Sequence, residues 1–231
     1  MLLDFHSHIL PGIDDGSRDL DESRGLIDAL KDQGVGIVVA TPHFDANHES
    51  VASFLERRSA AYECLKEILT PDMPEVKLGA EVAYYPGISR LDGLQDLCVE
   101  GTGLLLLEMP MSKWSKYTVD ELINLSSTRR VRVIVAHVER CLQYQDKAVV
   151  RVLCESDALL QINASLLLSA ATRRRGISWL KKGVVHVLGS DCHNLRSRRP
   201  RIKEAYDVIA DRLGESFVRE MLHFEKTLIV K

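Results

Sequence analysis

The stretch LLLLEMP (104–110) decides the architecture: four leucines with no polar residue between them, closed by a carboxylate and a proline. A strand with one wet face alternates apolar and polar residues, whereas an unbroken apolar run belongs to a strand covered on both faces, as in a parallel sheet. The same form recurs in IVVATP (37–42), VRVIVAHV (131–138) and VVHVLGSD (184–191). Working outward gives seven candidate strands: Leu2–His8, Ile37–His43, Val76–Tyr84, Leu104–Met109, Val131–Val138, Leu159–Ser165 and Val184–Asp191. Helical patterns lie between them, over Leu20–Gln33 with Gly34 at its C-cap, Ser50–Leu69, Val119–Ser127, Ile177–Lys182, Arg201–Leu213 and Phe217–Phe224. Thr118-Val-Asp-Glu121 has the form of a capping box opening the third of these. Strand-then-helix alternation implies right-handed crossovers and an α/β fold, and periodicity leaves an open sheet and a closed barrel equally allowed.

The chain has 231 residues, the size of one large domain, here expected to span residues 1–231. Charged residues make up 27% with a net charge of −3, which gives no general attraction to nucleic acid or anionic membrane. No apolar run nears the roughly 20 residues of a membrane span, and Met1–His8 reads as a strand rather than a signal peptide, so the expected location is the cytoplasm. Five cysteines, Cys64, Cys98, Cys141, Cys154 and Cys192, are odd in number and lack paired-ligand spacing; they read as reduced thiols.

Ligands of parallel α/β folds bind at the carboxyl ends of the strands. Those ends carry His6 and His8, His43, Glu81, Glu108, His137, Asn163, and Asp191 with His193. A single histidine at such a position is more often structural than a ligand, but five of the eight histidines gather there, while His48, His186 and His223 lie elsewhere. In His6-Ser-His8 and Asp191-Cys-His193 the period-two alternation aims both outer side chains to one side. A mixed His/Asp/Glu set without thiolate suits Mn²⁺, Zn²⁺ or Fe²⁺, and it has too many members for one ion, so two or three are expected. Adjacent metals are the usual device for hydrolysing phosphate esters. Arg140 and Arg198 follow metal-bearing strand ends and suit a phosphate bidentately. Arg173-Arg174-Arg175 reads as a solvated helix end.

FHSHILPGIDDG (5–16), ATPHF (40–44), GAEV (79–82), LLLLEMP, AHVER (136–140) and GSDCHNLRSR (189–198) together resemble the polymerase-and-histidinol-phosphatase (PHP) superfamily. Within it they are most similar to the manganese-dependent bacterial protein tyrosine phosphatases of capsule and exopolysaccharide operons, the CpsB/CapC/YwqE type. The resemblance implies a distorted seven-stranded β/α barrel related to the TIM barrel, with a trinuclear site. It implies one metal on His6, His8, Glu81 and Asp191, a second on Glu81, Glu108 and His137, and a third on Asp15, His43 and His193, with Asp14 the adjacent alternative to Asp15. Arg140 and Arg198 fall where the family contacts phosphate. The implied metal is Mn²⁺, with Fe²⁺, Zn²⁺ or Mg²⁺ as alternatives. The implied substrate is the phosphotyrosine tail of an autophosphorylating kinase controlling polysaccharide export, cleaved by a metal-activated hydroxide.

Two other readings stand beside this one. Cys192 and Arg198 fit the C-x₅-R spacing of thiol phosphatases, but that spacing leaves the remaining strand ends unexplained. Histidinol phosphate or another small phosphomonoester would suit the same metal site. Tyr84, Tyr85, Trp114 and Tyr117 could stack on a tyrosyl ring, or serve packing or an oligomer contact equally well. The sequence leaves open whether the chain forms a homo-oligomer.

Overall fold

The computed structural model describes residues 1–129 and 131–230. In chain order these form β1 (Leu2–Ser7), α1 (Leu20–Asp32), β2 (Val35–Ala40), β3 (His43–Phe44), α2 (Val51–Lys66), β4 (Glu75–Leu78), β5 (Glu81–Ala83), β6 (Leu104–Glu108), α3 (Lys116–Arg129), β7 (Arg132–Val135), α4 (Lys147–Glu155), β8 (Leu159–Asn163), α5 (Ala164–Leu168), α6 (Arg173–Lys181), β9 (Val187–Gly189), α7 (Ile202–Leu213) and α8 (Glu215–Ile229). Every strand pairing is parallel, in the orders β1-β2-β4 and β3-β5-β6-β7-β8-β9. The sheet curls, and a parallel bridge between Ser7 and Cys192 brings its two ends together.

Two of the expected strands are each broken in two. The run 37–43 stops at Thr41-Pro42, where proline offers no N–H to a ladder, and the run 76–84 stops at Gly79-Ala80. Hydrogen bonds cross both breaks, from Gly79 N–H to Ala40 O (2.9 Å) and from Glu81 N–H to Pro42 O (3.0 Å). The breaks therefore redirect His43 and Glu81 without detaching them from the wall.

The leucine run explains how the sheet is covered. Leu104 and Leu106 pack with Ile37, Val39, Ile134 and Val187 in one buried cluster. Leu105 and Leu107 join Leu26, Leu30, Leu122 and Leu153 from the helices in the other. Alternate residues of one strand thus feed two cores. β1 departs from this rule. Asp4 pairs with Val38 and Ser7 with Ala40, so β1 holds one residue more than its partner between these points. Such a bulge re-aims side chains: Leu3 and Phe5 belong to the leucine-lined cluster, while His6, next in sequence, contacts the polar site above it.

Both ends of α1 and α7 fall within one residue of those read from the sequence, whereas α6 begins four residues before Ile177 and α8 runs five residues past Phe224. Asp19 caps α1 by accepting from Glu22 N–H (2.9 Å), and Gly34, at φ +76°, follows its C-terminus. The expected capping box at Thr118–Glu121 is not formed, because α3 begins earlier and Ser115 Oγ accepts from Thr118 N–H (3.1 Å). Glu121 holds the 84–89 loop instead, accepting from Tyr84 OH (2.9 Å), Gly87 N–H (3.1 Å) and Ser89 Oγ (2.7 Å). The short helices α4 and α5 were not expected.

Candidate metal centre

Glu81 is the hub. Only 1% of it is exposed, and its carboxylate meets four imidazoles. Its Oε2 lies 3.1 Å from His6 Nε2, 3.3 Å from His8 Nε2 and 3.1 Å from His43 Nδ1, and its Oε1 lies 2.7 Å from His137 Nε2. Burial works against its charge, but the histidines, His6 foremost, hold it well below the usual carboxylate range. Glu108 Oε1 stands 3.5 Å from His137 Nε2. On the other side Asp15 Oδ1 is 3.3 Å from both His43 Nε2 and His193 Nε2. All nine ligand candidates therefore come together. Three groups have donor atoms within 4.8 Å of one another: His8, Asp15, His43 and His193; His6, His8 and Glu81; and His43, Glu81 and Glu108. His8 is shared by the first two.

Several donors sit just past a strand end, on backbone that ordinary strands do not use. His137 (φ +27°) and Asp191 (φ +53°) are the two non-glycine residues with positive φ among the described residues. Side chains rarely accept that region, and it clusters at functional sites. The alternation expected for Asp191-Cys-His193 is thus replaced by a left-handed residue, with the same outcome. Asp191 and His193 reach the site, and Cys192 is wholly buried in the outer core. Burial pushes the Cys192 thiol well up, the opposite of a nucleophilic thiolate.

The loop after β1 separates the two adjacent aspartates. Asp14 Oδ2 accepts from His8 Nδ1 (2.7 Å) and His43 N–H (3.1 Å), and its Oδ1 accepts from Gly16 N–H (2.9 Å). With Nδ1 so engaged, His8 turns Nε2 to the cluster. Asp15 is 66% exposed and points both oxygens at the site rim. Gly16 allows this crossing, since a Cβ there would lie 2.4 Å from His8 Cβ.

Asp191 gathers the arginines. Arg198 Nη2 donates to its Oδ1 (2.6 Å) and Arg140 Nη2 to its Oδ2 (2.7 Å). Burial opposes its charge, but His6, Arg198, His8 and Arg140 hold it far below the usual range. A guanidinium carries five N–H donors, so each arginine, about one third exposed, keeps others free for an anion. Of the expected aromatics, Trp114 is core, donating Nε1–H to Pro110 O (2.9 Å), and Tyr84 is tied to Glu121; Tyr85 is partly buried against the core and Tyr117 is exposed. The Arg173–Arg175 run opens α6, where Arg173 donates to the carbonyls of Leu167 and Leu168.

The donor set suits divalent cations. One of its buried atoms, His193 Nε2, faces Asp15 Oδ1 at 3.3 Å without a formed hydrogen bond, and burial together with the charges of His8 and Arg198 brings that imidazole down to about 4, leaving its lone pair available. The sequence reading passed over Gln161, a wholly buried amide at the heart of this cluster. The available signal was a polar residue inside the otherwise apolar run Leu159–Ile162, two residues before Asn163.

Imidazoles and carboxylates converging at the C-terminal ends of curled parallel strands, with guanidiniums at their edge, define a metal-dependent hydrolase. The chain belongs to the capsular polysaccharide synthesis CpsB/CapC family, whose model matches residues 2–231. It is 29% identical over 248 residues to the tyrosine-protein phosphatase CpsB of Streptococcus pneumoniae, covering 95% of this chain and 94% of that protein. In fold it is similar to the crystal structures of YwqE from Bacillus subtilis and CpsB from Streptococcus pneumoniae, described as unique metal-dependent tyrosine phosphatases. There the TM-score is 0.83 at 23% identity, covering 98% of this chain and 94% of the other. A histidinol phosphate phosphatase from Lactococcus lactis, solved with zinc, L-histidinol and phosphate, gives a TM-score of 0.59 at 15% identity, covering 91% and 93%.

Proposed function

We propose that the protein is a metal-dependent protein tyrosine phosphatase. The observation that carries this reading is the convergence of three donor groups linked through His8, His43 and Glu81, with Arg140 and Arg198 beside them on Asp191. His6, His8, Glu81 and Asp191 would hold one cation, Glu81, Glu108 and His137 a second, and Asp15, His43 and His193 a third. Asp15 is preferred to Asp14 because Asp14 is spent on His8, His43 and Gly16. The mixed imidazole and carboxylate set favours Mn²⁺, with Fe²⁺, Zn²⁺ and Mg²⁺ as competitors. Bound divalent metal supplies Lewis acidity and brings the pKa of water toward about 7.

The chain's own residues supply the remainder. Arg140 and Arg198, anchored through Asp191, present their unused N–H groups to the non-bridging oxygens of a phosphoryl group and offset its developing charge. A tyrosyl leaving group has a parent pKa of about 10, so it departs without a strong general acid. We read the substrate as a phosphotyrosine protein, the tail of a kinase that phosphorylates itself in polysaccharide synthesis, on the basis of family membership. The five free thiols fit the cytoplasm, and no helix among the described residues is long and apolar enough to cross a membrane. We also read the wall as one distorted seven-stranded barrel, counting β2 with β3 and β4 with β5; the Ser7–Cys192 bridge supports this.

The test is an assay of metal-reconstituted protein against phosphotyrosyl peptide, histidinol phosphate and bis(p-nitrophenyl) phosphate side by side. Preference for the peptide is expected. Higher kcat/KM on histidinol phosphate would overturn the substrate assignment and leave the metal site standing.

A further inference from the structure

We infer that Gln161 and Asn163 form a positioning pair that orders the metal-facing atoms of His6, His137 and Asp191. This rests on the metal-site reading above. One donor at this site has a fixed polarity. The backbone N–H of His137 can only donate, and it lies 2.7 Å from the Gln161 side chain, so the atom facing it is Oε1. The same oxygen is 3.2 Å from His6 Nδ1, which must therefore carry the proton and leave the Nε2 lone pair toward Glu81 and Asp191. The other end of the amide is then Nε2, which donates to Asn163 Oδ1 (2.9 Å). That in turn makes the Asn163 atom facing Asp191 an N–H donor, Nδ2 to Oδ2 at 2.7 Å.

Two neutral side chains on one face of β8 thus set the tautomer of one ligand, pin the left-handed backbone of a second at His137, and orient the carboxylate of a third. Both amides are buried, Gln161 completely and Asn163 to 97%, and neither reaches the cluster with an atom suited to binding a cation in this arrangement. The neighbouring strand makes room for them. A Cβ on Gly189 would fall 2.8 Å from Gln161 Nε2 and 2.5 Å from His6 Cβ, so β9 carries hydrogen at that position. Partners of this kind typically change metal affinity 10- to 100-fold when removed.

The experiment titrates metal-free protein with Mn²⁺ and follows free ion by electron paramagnetic resonance. Imidazole nitrogen shifts are recorded in parallel on the diamagnetic Zn²⁺-loaded protein. Gln161→Leu is expected to weaken Mn²⁺ about 10- to 100-fold and to move the Nδ1 resonance of His6 as its hydrogen bond is lost. Gln161→Glu keeps an acceptor for both His6 and His137 but gives up the donor to Asn163, so His6 Nδ1–H should stay hydrogen-bonded while Mn²⁺ binding still reports the loss at Asp191. If the leucine variant does not fold, Asn163→Ala carries the test from the other end, with Mn²⁺ weakened by the same order through the lost donor to Asp191. Wild-type affinity and an unchanged His6 signal in Gln161→Leu would overturn the inference, as would loss of the His6 hydrogen bond in the leucine and glutamate variants alike, since packing alone would then account for it. His6→Ala is the control for the underlying reading. If it leaves Mn²⁺ affinity unchanged, the metal site itself is wrong; if it weakens binding while Gln161→Leu does not, only the positioning pair is wrong.

Discussion

Glu81 and Glu225 are both buried to within 1% of completely, and they behave in opposite ways. Glu81, at the open end of the sheet, is held ionised by the imidazoles around it. Glu225, on α8, meets Tyr206 OH at 2.5 Å and Leu188 N–H at 3.4 Å, and burial pushes its carboxyl up to about 8. Asp4, on the same side of β1, is raised to about 6 by the same cause. Burial is common to both regions, so burial does not make a site. What separates them is whether the neighbours can carry positive charge: imidazoles prepare a carboxylate for cations, and a phenol leaves it a neutral acid.

The largest effect should follow from emptying the charged region. Exhaustive chelation should abolish phosphatase activity and Mn²⁺ should restore it, while Glu81→Gln should lower kcat by about 100-fold or more. Full turnover at negligible metal content would break the comparison outright. Arg140→Ala and Arg198→Ala should each reduce kcat/KM by roughly 30- to 1000-fold, about 2–4 kcal/mol, with metal content intact; wild-type kinetics in both would make the arginines bystanders.

Neighbouring residues then separate ligand from core. His193→Ala should lower metal occupancy and cut turnover at least ~10-fold, whereas Cys192→Ser should stay within a few-fold of wild type. A dead Cys192→Ser with a trappable phosphocysteine would reinstate the thiol mechanism. The smallest effect belongs to the neutral region. A folded chain that keeps Glu225 protonated binds a proton that the unfolded chain has released, so its contribution to stability is present below the ordinary value of 4.5 and is lost as pH rises to about 8. Glu225→Gln should flatten that part of the stability–pH curve in urea melts at saturating metal. An unchanged slope would mean that Glu225 is already ionised in the folded protein.

Much of this was legible because two periodicities and one residue type carry it. The runs at 104–110 and 131–138 announce strands covered on both faces, and histidines and carboxylates at their ends announce the donor set. What escaped depends on backbone detail that composition does not encode. The breaks at Thr41-Pro42 and Gly79-Ala80 are marked by a proline and a glycine, residues that weaken a strand, but the apolar residues on either side outweigh them in the pattern. The Thr118–Glu121 motif satisfies a capping pattern, but Ser115 competes one turn earlier and wins, freeing Glu121 for the 84–89 loop. Asp14 and Asp15 are chemically identical, and only the crossing of the loop over His8 assigns them different work. Gln161 has no charge to draw attention, and its importance lies in the direction of its hydrogen bonds.

The extra residue in β1 has a consequence for how this chain can change. It acts as a phase shift: below it the strand presents leucine and phenylalanine to the interior, and above it the same strand presents histidine. Phe5 and His6 are the residues between Asp4 and Ser7: loss of His6 would remove a donor outright, and loss of Phe5 would draw His6 down into the place Phe5 fills in the leucine-lined core. The ladder to β2 would still find its partners. A working centre and an inert scaffold of nearly the same shape are therefore one codon apart.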